Sequence, residues 1–194
     1  MDDQKRKFRV IFSDAVYSMS LSLKIAYIAM ITAFSIVVNL FVRFPLGDTQ
    51  ISLKIFISIM SGILLGGGSG FVVCMTSDFL GWLMNPGGAY MPWIGLSAGL
   101  LALFSGIVMN NFKTGNRFLF YIKCFVVCLF SLTVCTVGIN TTALYFAYAK
   151  DVSYIDYVFI RLSTQIINSL VNYALVFAFL PVLSEAKPLK KFFL

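Results

Sequence analysis

Long apolar runs follow one another along almost the whole chain, parted only by short stretches of Gly, Pro, Asn and Lys. A helix crossing roughly 30 Å of hydrocarbon needs about 20 such residues, whereas a water-soluble domain has no use for so much unbroken apolar surface. Composition agrees: 59% of the 194 residues are hydrophobic and 12% are charged, against about 25% charged in soluble domains. The expected fold class is therefore all-α, a polytopic membrane protein built as a six-helix bundle. Residues 1–194 form one membrane domain, with residues 1–20 as a leader suited to a short amphipathic helix and residues 182–194 as a basic tail.

The six spans are expected near residues 23–41, 51–65, 71–84, 94–109, 118–149 and 154–180. Pro45 and Gly47 make residues 43–48 read as a loop, the glycine run at 66–70 as a tight turn, and Pro181 as the stop of the last helix. Small residues Gly95, Ser97, Ala98, Gly99 and Gly106 in the fourth span permit close helix contact.

The net charge of +7 does not call for nucleic acid. Lys5, Arg6, Lys7, Arg9, Lys24, Lys113, Arg117, Lys123, Lys187, Lys190 and Lys191 are eleven of the 15 basic residues, and they fall on alternating connections. The positive-inside rule then puts both termini in the cytoplasm of a bacterial plasma membrane. Cys74, Cys124, Cys128 and Cys135 lie in apolar segments and the chain has no histidine, so they read as small core side chains and no metal or cofactor is implied.

Against this apolar background, a few polar residues stand out: Asp78, Asn140, and then Arg161, Gln165, Asn168 and Asn172 at one helical face. Ionisable and amide groups at membrane depth are costly without partners or water, and so mark a functional site. The stripe reads as the wall of a solute pocket, or as interhelical hydrogen-bond glue. Asp78 either binds a ligand or pairs with Lys54 or Arg161. Tyr90, Trp93 and Trp82 read as an interfacial aromatic belt, or as a lid that stacks on a flat ring. In the first span, Ala29 and Ala33, with Ala26 alongside, form a small-residue face for a neighbouring helix.

Catalysis is not indicated. The glycines at 66–70 have no following Lys, so no phosphate loop exists there, and no acid pair or activated nucleophile stands at a recognisable spacing.

The order of short motifs resembles the substrate-binding S components of energy-coupling factor (ECF) vitamin transporters, folate-type S components above all. The resemblance rests on Ala29 to Ala33, on Arg43-Phe-Pro-Leu-Gly and Ser77-Asp78-Phe-Leu-Gly81, and on Pro86-Gly-Gly-Ala-Tyr90-Met-Pro92. It continues through Gly138-Ile-Asn140-Thr141, Arg161-Leu-Ser-Thr-Gln165 and Leu180-Pro181. It implies a binder that captures a vitamin from outside and docks on a membrane T component carrying two cytoplasmic ATPases, with Ala29 and Ala33 facing that component. Asn140 and Thr141 would contact a pterin ring, and Asp78, Arg161 and Gln165 would bind or support it. Arg43 or Lys54 would meet the carboxylates of a folate tail. Riboflavin, thiamin, pantothenate and a queuosine precursor remain alternative ligands, and a membrane enzyme or scaffold remains the alternative from another class.

Overall fold

The computed structural model describes residues 12–46, 49–86, 89–111, 117–149 and 151–185. Within them the chain runs through a single turn α1 (Asp14–Tyr17), a helix α2 (Leu21–Phe41), a two-stranded ribbon β1 (Arg43–Leu46) and β2 (Thr49–Ser52), then α3 (Lys54–Leu65), α4 (Gly67–Met84) and α5 (Pro92–Asn111). A long rod follows, made of α6 (Arg117–Phe130), a π-helical stretch (Ser131–Thr141) and α7 (Thr142–Tyr148). The last helix is α8 (Tyr154–Glu185). The helical bundle matches the expected class. Residues 21–41, 92–110, 118–148 and 154–182 are long and apolar enough to cross a membrane, and α3 is a shorter apolar helix of 12 residues. Helices suit such a chain because hydrocarbon offers no partners to backbone polar groups.

Three boundaries differ from expectation, each for a physical reason. Residues 43–46 are not a loop: they pair antiparallel with 49–52, Arg43 opposite Ser52 and Leu46 opposite Thr49. Pro45 is tolerated because both strands of a two-stranded ribbon are edges; Gly47 and Asp48 lie outside the described residues. The glycine run is not a turn from 66 to 70 but a break at Gly66 alone, with α4 resuming at Gly67. Pro181 does not stop α8, which continues to Glu185; close to the end of a helix a proline removes one bond without breaking the rod.

Gly66 is forced by what crosses it. Its φ of +102° and the position of a would-be Cβ, 2.5 Å from the Ser13 nitrogen, leave room for no side chain. There the Ser13 amide donates to the Leu65 carbonyl at 2.9 Å and its hydroxyl to the Leu64 carbonyl at 2.7 Å, so the N-terminal segment caps the free carbonyls of α3. Close by, α3, α4 and α5 meet backbone to backbone. A Cβ on Gly62 would fall 2.0 Å from the Ala102 carbonyl oxygen, and one on Gly106 2.5 Å from the Gly67 nitrogen. The small residues of α5 therefore do permit close approach.

Ile59, Ile63, Leu65, Val73, Leu101, Val127, Val176 and Leu180 form the buried core. All four cysteines are buried and free, as small core side chains. Large apolar side chains face outward instead, among them Phe34, Phe41, Phe125, Phe159 and Leu170, as a surface against lipid requires.

Candidate functional site

At the ribbon end of the bundle, Lys54 opens α3 and its ammonium reaches Asp78 on α4 in an ion pair. Both side chains are only about one-fifth exposed, at 23% and 17%. Of the alternatives open to Asp78, its partner is Lys54 and not Arg161. Two cavities lie against this pair.

The smaller, about 160 Å³, is enclosed by α3, α5, the π-helical stretch and α8. Its polar lining includes Ser52, Lys54, Ser58, Ser97, Thr136, Asn140, Gln165 and Asn168, with Ile55, Ile94 and Leu101 among the apolar walls. The Ser97 hydroxyl donates to Asn140 Oδ1 at 2.6 Å, which fixes the orientation of that amide. The π-helical winding presents Asn140. Thr141 donates its hydroxyl to the Thr136 carbonyl five residues back, at 2.8 Å, and such wide turns recur at functional sites because they re-aim side chains.

The wider cavity, about 310 Å³, shares Lys54 and Ile94 with the first and is otherwise lined by Asp78, Trp82, Asn85, Tyr90, Met91 and Tyr148 among others. The Trp82 and Tyr90 rings sit 5.3 Å apart, with Phe79 5.3 Å from Tyr90. Burial, and then the negative Asp78, push the Tyr90 phenol above its ordinary range, so that it stays a neutral donor.

Asn168 and Asn172 show how α8 holds the site together. The Ser52 amide donates to Asn168 Oδ1 at 3.0 Å and the Phe56 amide to Asn172 Oδ1 at 2.9 Å, while Asn172 Nδ2 donates to the Ser52 carbonyl at 2.8 Å. The first turn of α3 has no cap from its own N-cap residue, Leu53. Asn172, fully buried, supplies that cap from a helix more than a hundred residues away.

The sequence-predicted residues thus divide. Lys54, Asn140, Gln165 and Asn168 come together around the small cavity, and Lys54, Asp78 and Tyr90 around the wide one. Thr141 is buried and turned into its own helix. Trp93 is 60% exposed, outside both linings, whereas Trp82 is within one. Arg161 lines neither cavity and faces Tyr157. Arg43 lies in β1, opposite Ser52. Ala26, Ala29 and Ala33 form one exposed stripe of α2. Ser52, Ser58, Ser97 and Thr136 were not anticipated; short hydroxyl residues in apolar helices carry little signal, and Ser97 read only as a packing residue.

A family model described as "ECF-type riboflavin transporter, S component" matches residues 20–187. Among solved structures, the chain is similar to one titled "Crystal structure of FolT bound with folic acid". The TM-score is 0.65 and the identity 17%, covering 77% of this chain and 86% of that one. A comparison with curated proteins finds no match.

Proposed function

Since the chain belongs to the ECF-type riboflavin transporter S component family, a family of vitamin-transporter subunits and not of enzymes, we propose that it captures a flat heterocyclic vitamin, folate first among them. The ring would enter the small cavity and the neutral part of the arm the wide one. The observation that carries this reading is the pair of adjoining cavities: one lined largely by amides and hydroxyls, the other largely by aromatic rings, with Lys54 and Ile94 shared between them. Amides offer donors and acceptors together, the pattern that a pterin edge needs, and Trp82 and Tyr90 offer faces for the arm that follows. Likeness to the folate-bound structure is consistent with folate.

Riboflavin is the second reading, favoured by the description of the matching family. Its three-ring system also has a hydrogen-bonding pyrimidine edge. Titration of the purified protein with each vitamin decides between them. Saturable binding of folate that is lost in Asn140→Ala is the expected result; binding of riboflavin alone would overturn the choice of folate, and no binding of either would overturn the cavity reading.

For transport, the subunit would sit in the cell membrane with both termini in the cytoplasm, as its basic loops favour. It would dock on a membrane T component powered by two ATPases. The exposed stripe Ala26, Ala29 and Ala33 supports a close helix contact there. Ala29→Leu with Ala33→Leu is expected to abolish copurification with a coexpressed T component while leaving vitamin binding intact. A complex that survives both changes would move the interface elsewhere.

A further inference from the structure

Arg161 is a charge in an apolar span that lies outside the ion pair of Lys54 and Asp78. It stands two turns into α8, within the apolar span of residues 154–182. Its Nε is enclosed and has no acceptor, and Nη1 makes one long contact, 3.5 Å, to the Tyr157 hydroxyl. The guanidinium carbon lies 6.0 Å from the centre of the Tyr157 ring. No carboxylate among the described residues pairs with it: Asp78 is taken by Lys54, and Asp151 and Asp156 are exposed. A guanidinium at this depth is kept only where an anion or water meets it, and its planar fork of donors suits a carboxylate or phosphate.

Tyr157, the neighbour of Arg161, belongs to an aromatic cluster: the Tyr145 ring lies 5.8 Å from Tyr157 and 5.1 Å from Tyr154, where α7 meets α8. Gln165, on the wall of the small cavity, is four residues along the same face, about 6 Å away at 1.5 Å per residue. We infer that Arg161 and Tyr157 form a separate subsite for an anionic group carried on the arm of the vitamin, one helical turn beyond the ring. This inference rests on the cavity reading above and assigns Arg161 to the tail, not to the ring.

The experiment compares ligands of near-identical shape and different charge: pteroylglutamate against its bis-amide, and riboflavin 5′-phosphate against riboflavin, with the full chain in lipid-free non-ionic detergent. The anionic member of at least one pair is expected to bind about tenfold tighter, about 1.4 kcal/mol, the scale of a charge-assisted hydrogen bond. Arg161→Gln is expected to erase the difference without weakening the neutral member, and Arg161→Lys to retain part of it. Equal binding of both members by the native chain overturns the inference alone, as does a preference that survives in Arg161→Gln. If no ring compound of any kind binds, the cavity reading falls and this one with it. A lipid headgroup is the other possible source of the anion. Adding phosphatidylglycerol is expected to leave the preference unchanged, and its abolition would reassign the guanidinium to the lipid and overturn the inference.

Discussion

Lys54 and Asp78 form an ion pair that is at the same time part of the lining of two adjoining cavities. The pair neutralises Lys54, the charged residue in the lining of the small cavity, and an incoming ligand with its own acid or base competes with it. Removing one partner strands the other in a poorly hydrated setting. Asp78→Asn and Lys54→Met are each expected to lower stability by about 2–4 kcal/mol, and the double variant to recover most of the loss. Melting followed by tryptophan fluorescence measures this; a double variant as weak as the sum of the singles would show that the two residues are not coupled.

Asn172→Ala is expected to cost about 2–4 kcal/mol, because it leaves the Phe56 amide and the Ser52 carbonyl without their buried partner. Loosening should be local first. Hydrogen exchange ought to quicken at the first turn of α3 and in the ribbon before it does so in α5, and uniform protection after the change would contradict the capping role.

Two glycines of α3 and α4 should respond in opposite ways. Gly62→Ala drives a methyl into the Ala102 carbonyl and is expected to cost about 3 kcal/mol. At Gly81 a methyl meets nothing within 4 Å, so Gly81→Ala is expected to stabilise by up to about 1 kcal/mol through helix propensity. Paired melting curves settle both.

Trp82→Ala is expected to weaken binding of a ring vitamin by about tenfold, the scale of one lost aromatic contact, and to lower the melting temperature of the empty protein as well, since the ring also packs on Phe79 and Tyr90 at the edge of the wide cavity. Trp93→Ala, on an exposed ring outside both cavities, is the control that should leave affinity as it was. Equal effects from the two would put the aromatic contact in the wrong tryptophan.

Membrane class and helical rods were legible in the sequence because apolar length is a direct physical requirement of the bilayer. So was the polar face of α8, since amides at helical spacing stand out against Leu, Ile and Val. What the spacing did not disclose is how that face divides: Gln165 and Asn168 line a cavity, Asn172 ties elements together, and Arg161 stands apart. Those roles depend on which neighbour each residue meets, and the neighbours come from distant parts of the chain. The ribbon was hidden because Pro45 and Gly47 speak for a loop, while its closing residue Ser52 is held by Asn168 and Asn172 of α8. Gly67 to Gly70 looked like a turn because glycine disfavours helix; close packing against Gly62 and Gly106 outweighs that preference. The π-helical winding has no sequence signal of its own, since it is defined only by which carbonyl each donor reaches.

The remote cap of α3 bears on biogenesis. Residue 172 emerges from the ribosome after more than a hundred residues separating it from Phe56, so the ribbon, the start of α3 and the small cavity stay incomplete until the final helix has entered the bilayer. A chain truncated before α8 could insert its earlier segments and still lack one wall of that cavity and the cap of α3, so both are the last features of the fold to be completed.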